Sequence, residues 1–255
     1  PDVIFRSCHM NPISLDTKFP PGVTLQNNIY SLLERSDEKL KAVNLIGNNS
    51  PVDRRCELYK VMEENGYEVR HITDSDKFDD FLEMSKSCLN ILLSPVAKYA
   101  SEEMEKNLGI EMLKAYNTYD ISEINDFYKS LSDMLGIKIN TAEYEKRAEN
   151  SIEEALKAIG DYPIAIDYQA VKKPFTLAKA LIEYGFNVGF VMTDEPKAIE
   201  KEAYDYIRET QKQIRIVNAV HPDLVKYENR DRQYLCIGFD CGYATGSEKV
   251  IDMMD

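Results

Sequence analysis

Short apolar runs alternate with amphipathic stretches along most of the chain. In the first half, the apolar runs predict strands at 42–47, 67–72, 88–93 and 110–113. Between them, apolar side chains spaced three or four residues apart predict helices at 53–65, 76–85 and 97–108. This alternation is typical of a parallel sheet with helices on both faces.

The region 121–160 interrupts the alternation. It contains one amphipathic helix, with apolar positions from Ile124 to Leu135, and a second, more polar one at 144–159. The alternation then resumes, with strands predicted at 162–168, 187–193, 213–218 and 234–240 and helices at 175–184, 197–212 and 221–228. The predicted fold class is therefore α/β, with two Rossmann-like domains whose parallel sheets are flanked by helices.

The same pattern predicts the domain boundaries. Residues 41–120 form the middle α/β domain, 121–160 a helical connector and 161–255 a last α/β domain truncated at its C-terminus. Residues 1–40 are predicted to be the end of a truncated first domain and a linking helix, with a strand at Val3–Arg6. The stretch 248–255 predicts the beginning of a helix, so we expect an internal fragment of a longer protein.

Composition and charge narrow the classes of protein. Of the 255 residues, 44% are hydrophobic and 29% charged, which is typical of a globular protein and excludes disordered and collagen-like chains. The net charge of −13 repels phosphate backbones and anionic lipid, so neither nucleic acid nor a membrane is expected as a partner. No apolar run approaches the roughly 18 to 20 residues of a membrane span.

The cysteines do not form a disulfide scaffold or a metal motif. Five are scattered along the chain, and the odd number leaves one unpaired in any scheme. Such usage is typical of reduced thiols in a cytoplasmic protein.

Candidate chemistry lies in the loops after predicted strands, because parallel sheets bind ligands at the carboxyl ends of their strands. Four loops carry reactive or polar side chains: 8–12, 47–51, 94–101 and 240–247. Cys8 and His9 could bind a metal or activate a nucleophile, but adjacent side chains on an extended chain point apart. Cys241 lies in a Gly-rich turn between a strand and a helix, which either contacts a ligand or is an ordinary turn.

The other two loops have simpler explanations. The loop after Gly47 lacks the glycine patterns of nucleotide-binding loops, so a plain helix cap is favoured over an anion site. In the 94–101 loop, Pro95 at the first helical turn is sufficient to explain the sequence. The sequence contains no recognisable Ser-His-Asp or HExxH arrangement.

Several blocks of sequence resemble the nitrogenase component 1 family, the subunits of the molybdenum-iron protein and their relatives. The strongest are VNLIGNNSPVDRRCELYKVMEENGYEVRHI at 43–72, CLNILLSPVAKYASEEMEKNLGIEML at 88–113 and YDISEINDFYKSLSDMLGI at 119–137. Two further blocks, at 162–195 and 234–255, resemble the last domain of that family. The resemblance covers most of residues 1–250 and depends on the order of the blocks.

The resemblance implies a subunit of three α/β domains with the iron-sulfur cluster cysteines in the first. This chain would hold the other two domains, so an iron-sulfur cluster is expected in the full-length protein and no cofactor in this part. The implied partners are a homologous component 1 subunit and an ATP-dependent iron-sulfur reductase. The loop from Cys8 to Gly22 resembles a family segment that faces the cofactor cavity. Cys8, His9, Ser101 and Cys241 are thus the candidate cofactor-binding residues.

One position departs from the catalytic members of the family. The resemblance places Ser101 where they carry a cysteine that holds the iron-molybdenum cofactor, and a serine hydroxyl is a poor iron ligand beside a thiolate. The expected function is a nitrogenase-like oxidoreductase that reduces a substrate other than dinitrogen. Two alternatives stay open: a scaffold for metallocofactor assembly without catalysis, and a two-lobed receptor for a small ligand or metal chelate.

Overall fold

The computed structural model describes residues 3–8, 20–194, 198–222, 224 and 233–251. The chain divides into two compact units, each with its own sheet. The first unit contains Pro1–Asn117 and Asn125–Thr141, and the second contains Thr118–Ile124 and Ala142–Asp255. Residues 121–160, predicted as a connector, are therefore shared between the two units.

The first unit is built on a four-stranded parallel sheet. Its strands are β1 (Ala42–Ile46), β2 (Glu68–His71), β3 (Leu89–Leu92) and β4 (Glu111–Lys114), in the spatial order β2-β1-β3-β4. Every residue of the central strands β1 and β3 is buried, as expected for a sheet covered on both faces. The helices of this unit are α1 (Pro21–Tyr30), α2 (Glu57–Glu64), α3 (Phe78–Leu82), α4 (Lys98–Leu108) and most of α5 (Ile121–Leu135).

The second unit is built on a five-stranded parallel sheet. Its strands are β5 (Ile164–Asp167), β6 (Val188–Thr193), β7 (Arg215–Asn218), β8 (Leu235–Ile237) and β9 (Val250–Ile251), in the order β7-β6-β5-β8-β9. Its other helices are α6 (Ala142–Ile159), α7 (Pro174–Glu183), α8 (Lys201–Thr210) and α9 (Phe239–Thr245). The predicted fold class, two Rossmann-like α/β domains, is confirmed.

Each unit has a separate apolar core between sheet and helices. In the first unit, Ile46 and Leu92 from the sheet pack with Ala97, Ala100 and Met104 from the α4 region. In the second unit, Ile164, Ile166 and Val191 pack with Phe175 and Ala178 of α7. The apolar positions that predicted the elements are thus the positions that form the cores.

Three local predictions differ from the structure. Residues 3–8 contain no strand, and Phe5 is 84% exposed, because no strand of the described chain pairs with this segment. Val250–Ile251 form strand β9 instead of a helix, because they pair with Cys236 and Ile237 of β8. The predicted strand 234–240 ends at Ile237, and α9 begins at Phe239. Most of the helix predicted at 221–228 lies outside the described residues.

Candidate functional site

The strand orders place one topological switch point in each sheet. From β1 the chain adds β2 on one side and then crosses to add β3 on the other. From β5 it adds β6 and β7 on one side and then crosses to add β8 and β9. Connections leave in opposite directions at such a point, which opens a crevice at the carboxyl ends of the two strands. We call the carboxyl ends of β1 and β3 the first switch point, and those of β5 and β8 the second.

At the first switch point the backbone of the two strand ends comes into close contact. Gly47 follows β1 with a φ of +96°, in the region that favours glycine. A Cβ at this position would lie 2.9 Å from the backbone nitrogen of Ser94 and 3.1 Å from its carbonyl oxygen. Position 47 therefore requires glycine for two reasons: its φ is positive, and there is no room for a Cβ.

Side chains from neighbouring elements hold the loop that follows Gly47. Gln26 of α1 donates from Nε2 to the Asn49 side-chain oxygen at 2.9 Å. Nε2 of His71, at the end of β2, lies 3.0 Å from the Asn48 carbonyl, and its Nδ1 lies 2.7 Å from the Thr73 hydroxyl. A carbonyl only accepts, so Nε2 carries the proton of the His71 ring. These contacts leave the first switch point lined by neutral polar groups.

The second switch point is filled by a carboxylate. Asp167, the last residue of β5, is fully buried, and its Oδ1 accepts hydrogen bonds from the backbone N–H groups of Gln169 and Ala170, both at 2.9 Å. Its Oδ2 accepts from the N–H of Cys241 at 3.0 Å. Three backbone donors thus stabilise the buried charge.

Gly238 packs directly against this carboxylate. Its φ is +114°, and a Cβ on it would lie 2.2 Å from Oδ2 of Asp167 and 2.3 Å from Oδ1. The carboxylate therefore occupies the space that a side chain at 238 would need. Asp167 at the end of β5 and Gly238 directly after β8 are therefore sterically complementary.

Two cysteines lie beside this pair. Cys236 on β8 and Cys241 on α9 are both fully buried. The Cys236 sulfur lies 3.5 Å from the Thr245 hydroxyl, and the Cys241 thiol lies 3.3 Å from the Gly238 carbonyl. A hydrogen bond from the Cys241 thiol lowers the pKa of Cys236, and the same bond, together with burial, raises the pKa of Cys241. The second switch point therefore encloses a carboxylate, two thiols and a hydroxyl.

The structure describes three of the four sequence-predicted candidates. Cys8 is half-buried, and its thiol donates to the carbonyl of Pro21, the first residue of α1, at 3.4 Å. His9 lies outside the described residues. Ser101 is fully buried in α4, and its hydroxyl has no hydrogen-bond partner among the residues that the structure describes. Cys241 belongs to the second unit. Their role in binding a cofactor stays a prediction.

Sequence reasoning overlooked Asp167, Gly238 and Cys236. The signal for Asp167 was present, because an acidic residue directly follows the apolar residues Ile164–Ile166 at the carboxyl end of a strand. The position of Cys241 beside Asp167 depends on α9 beginning immediately after β8, which the predicted strand boundary at 240 obscured.

The described residues do not fit an iron-sulfur cluster. Such clusters are held as a rule by four thiolates. Within the described parts of the chain, no three His, Cys, Asp or Glu side chains converge in a way that could hold a metal ion. The Cys236 sulfur contacts the Thr245 hydroxyl, and the Cys241 thiol donates to the Gly238 carbonyl. None of the helices described is both long and apolar enough to cross a bilayer.

Comparisons with known proteins agree with this architecture. Among solved structures, a chain titled "Nitrogenase Cp1 at pH 6.5" superimposes with a TM-score of 0.66 at 18% identity, covering 91% of this chain and 57% of that one. The present chain thus spans little more than half of that nitrogenase chain. At 18% identity, this likeness shows the fold.

Two further solved structures are less similar. A second structure, "Nitrogenase Cp1 at pH 5", gives a TM-score of 0.46 at 18% identity, with coverage of 69% and 38%. Ligand-free aspartate transcarbamoylase from Trypanosoma cruzi gives 0.35 at 13% identity, with coverage of 91% and 77%.

A search of curated proteins found no match. The family is assigned by the match of this sequence to the sequence model of a protein family. The family described as nitrogenase component 1 type oxidoreductase matches residues 23–250, which is most of the chain. The chain belongs to the nitrogenase component 1 type oxidoreductase family.

Proposed function

We propose that this chain is part of a nitrogenase-like oxidoreductase subunit that receives electrons from an ATP-dependent iron-sulfur reductase and reduces a bound substrate. The observation that carries the proposal is the family match over residues 23–250. The order and parallel pairing of the strands support it, because they provide the two switch points at which such folds bind ligands.

In this proposal the cluster ligands are residues other than those described. The described chain contributes two rigid α/β units that position substrate and exclude water. A second, homologous component 1 subunit completes the assembly. Both partners are proteins, in keeping with a net charge of −13 that disfavours nucleic acid.

Ser101 supports a substrate other than dinitrogen. It occupies the position that the sequence resemblance assigns to a cofactor-holding cysteine, and its hydroxyl lies fully buried within the first unit. An un-ionised hydroxyl does not replace a thiolate as an iron ligand. The proposed substrate is therefore a molecule other than dinitrogen, and a tetrapyrrole is the candidate because the family that the sequence resembles includes tetrapyrrole reductases.

The test is anaerobic purification of the whole protein that contains this chain, together with its homologous subunit. We expect iron, acid-labile sulfide and the visible absorbance of an iron-sulfur cluster. Reduction of a candidate tetrapyrrole should then require both the reductase and ATP, with ADP in place of ATP as the control. A purified pair without iron or sulfide would refute the proposal.

A metallocofactor assembly scaffold is the second candidate, and the serine at 101 favours it equally. The two functions differ in what happens to the bound group. Transfer of the cofactor to an acceptor protein, with no substrate reduced in the presence of reductase and ATP, would establish the scaffold. Turnover that depends on ATP would establish the enzyme.

A further inference from the structure

Strand β2 has an open edge. It is an outer strand in the order β2-β1-β3-β4, so one of its sides faces no other strand of the described chain. The N–H of Glu68 donates to the carbonyl of Lys41, just before β1, at 2.9 Å. Successive residues of a strand direct their backbone groups to opposite sides, so Arg70 also faces β1. Val69 and His71 therefore face outward, and their N–H and C=O groups have no backbone partner within the described residues.

A groove runs along this edge. Val69 and His71 line it, and its volume of about 690 Å³ lies within the roughly 300–1,000 Å³ of ligand sites in proteins. The chain moves outward from β1 to β2 and then back past β1 to β3. Right-handed connections in opposite directions place α2 and α3 on opposite faces of the sheet. Helix α2 contributes Tyr59 and Glu63 to the groove, and α3 contributes Asp80. The open edge is therefore flanked by a helix on either face.

Acidic side chains dominate the groove. Its lining contains the guanidinium groups of two arginines and the carboxylates of Glu63, Glu68, Asp74, Asp80 and Glu83. Both guanidinium groups pair with carboxylates of the groove, Arg54 with Asp74 at 2.9 Å and Arg70 with Glu68 at 2.7 Å. Glu83 pairs at 2.9 Å with Lys86, which lies outside the lining.

Two carboxylates of the groove are left without a basic partner. They belong to Glu63 and Asp80, one from each flanking helix, and no ion pair within the described chain neutralises them. Asp80 accepts a hydrogen bond from the backbone N–H of Lys77 at 3.0 Å. The charge of the groove therefore complements a basic ligand.

We propose that the open edge of β2 is a docking site for an extended segment of a partner protein that carries lysine or arginine. The segment adds to the sheet as a fifth strand beside β2, and its basic side chains meet Glu63 and Asp80. The inference concerns the first unit alone and does not depend on the proposed electron-transfer function. It assigns an interaction surface at the edge of the sheet opposite β4.

The dimensions of the edge suit an extended chain. The four residues of β2 span about 13 Å, and a strand added about 4.8 Å away would meet the N–H and C=O groups of Val69 and His71. Side chains of the added strand point alternately to its two faces, so alternate positions reach α2 and α3. Main-chain hydrogen bonds thus supply affinity, and the acidic walls select basic side chains.

The experiment uses the whole protein that contains this chain and three capped, fluorophore-labelled hexapeptides. The first alternates lysine and valine, the second alternates glutamate and valine, and the third is the lysine peptide with every backbone amide N-methylated. We expect saturable binding of the first by fluorescence anisotropy, weakened by salt because screening reduces the attraction between charges. The second reverses the charge and the third removes the strand donors, so both should bind at least about tenfold more weakly.

Hydrogen exchange, resolved by residue with electron-transfer fragmentation, locates the contact. In the free protein the outward amides of Val69 and His71 should exchange faster than those of Glu68 and Arg70, which face β1. The bound lysine peptide should slow exchange at Val69 and His71 at least about tenfold and leave Glu68 unchanged.

Proline variants test the strand edge separately from the charge. Val69→Pro removes an outward N–H and keeps the bonds to β1, and edge strands tolerate proline in that orientation. This variant should bind the lysine peptide about fivefold more weakly. Met112→Pro is the matched control. It lies on β4, the opposite outer strand, and faces outward because Ala115 donates to Leu92 of β3. Its affinity for the peptide should be unchanged.

Charge variants decide the inference even if a proline variant fails to fold. Glu63→Lys should weaken binding of the lysine peptide at least about threefold. The control is Glu64→Lys, the same change of charge at the next residue, which pairs with Lys60 and lies outside the groove lining. That variant should bind nearly as the unaltered protein does.

Four outcomes would overturn the inference. The lysine peptide shows no saturable binding to the whole protein. Its N-methylated form binds equally well, which would indicate a site for cations and not for a strand. Exchange slows elsewhere and not at Val69 and His71. Finally, the paired variants Glu63→Lys and Glu64→Lys lose the same affinity.

Discussion

The two switch points occupy the same place in two sheets of similar topology, yet they are closed by opposite means. At the first, the backbones of two strand ends touch at Gly47, and side chains from α1 and β2 hold the following loop. At the second, the carboxylate of Asp167 holds its own loop, binds α9 and fills the space beneath Gly238. Strand order decides where a crevice lies, and the residues at and just after the strand ends decide its chemistry.

This difference predicts unequal tolerance to substitution. The second switch point concentrates its contacts on one buried charge, so that any disturbance leaves several backbone donors unsatisfied. The first switch point is held by hydrogen bonds among neutral groups from different elements, so that each bond contributes less to the free energy of unfolding.

The largest effect is expected for Gly238→Ala. The new Cβ would overlap the Asp167 carboxylate at a φ unfavourable to alanine, and we expect the free energy of unfolding to fall by about 4 kcal/mol. Gly66→Ala is the matched control, since its φ is also positive but no atom lies within 4 Å of a Cβ there. That variant should lose about 1 kcal/mol in urea unfolding. Equal losses in the two variants would contradict the steric role assigned to Asp167.

Asp167→Ala should follow, with a loss of about 3 kcal/mol, because three backbone N–H groups, one of them buried, lose their acceptor. The corresponding loop residue at the first switch point is Asn48, whose side-chain oxygen accepts one hydrogen bond, from the exposed Ser50 N–H at 3.0 Å. Asn48→Ala should cost less than about 1 kcal/mol. Thermal unfolding of both variants measures the contrast, and a larger loss in Asn48→Ala would reverse it.

Gly47→Ala tests whether the first switch point is also closed sterically. Its Cβ would meet backbone atoms at 2.9 and 3.1 Å, which is close but less severe than the overlap at Gly238. We expect a loss of about 2 kcal/mol in urea unfolding. A loss greater than that of Gly238→Ala would show that the first switch point is the tighter of the two.

The smallest effects concern two buried hydroxyls. Thr245→Val at the second switch point removes a donor to the Cys241 carbonyl and should cost about 1 kcal/mol. Ser101→Ala removes a buried hydroxyl with no partner among the described residues, so stability should stay the same or rise by up to about 1 kcal/mol. Calorimetric melting temperatures that fall for Ser101→Ala would reveal a hydrogen bond to a buried water.

The sequence was sufficient to predict the class of fold and most of its elements. Strands such as Ala42–Ile46 and Ile164–Asp167 are mainly apolar and buried on both faces, so their local pattern and their final environment agree. The exceptions are segments whose structure depends on whether another strand pairs with them. The apolar residues at Val3–Phe5 are mostly exposed without a paired strand, whereas Val250 and Ile251 become a strand because β8 provides a partner.

The candidate site was predicted less well than the fold. The rule that ligands bind at strand ends directed attention to the loops after β1, β3 and β8, and ligand binding there stays a prediction. It could not show that Asp167 fills one of them, because the contact with Gly238 joins residues 71 positions apart and depends on the strand order. The hydrogen bond from the Cys241 N–H to Asp167 likewise depends on the position at which α9 begins.

The split strand order also has a kinetic consequence. β1 pairs with β2, the next strand along the chain, but the first switch point forms only when β3 pairs with the other side of β1. In the second sheet, β6 and β7 come between β5 and β8 along the chain, so the second switch point forms only when β8 pairs with β5. Closing the longer loop costs more chain entropy before any contact compensates for it. We therefore expect both crevices to assemble late in folding, so that substitutions there accelerate unfolding while leaving the folding rate nearly unchanged. The parts of each unit best placed to bind a ligand would then be the last to form.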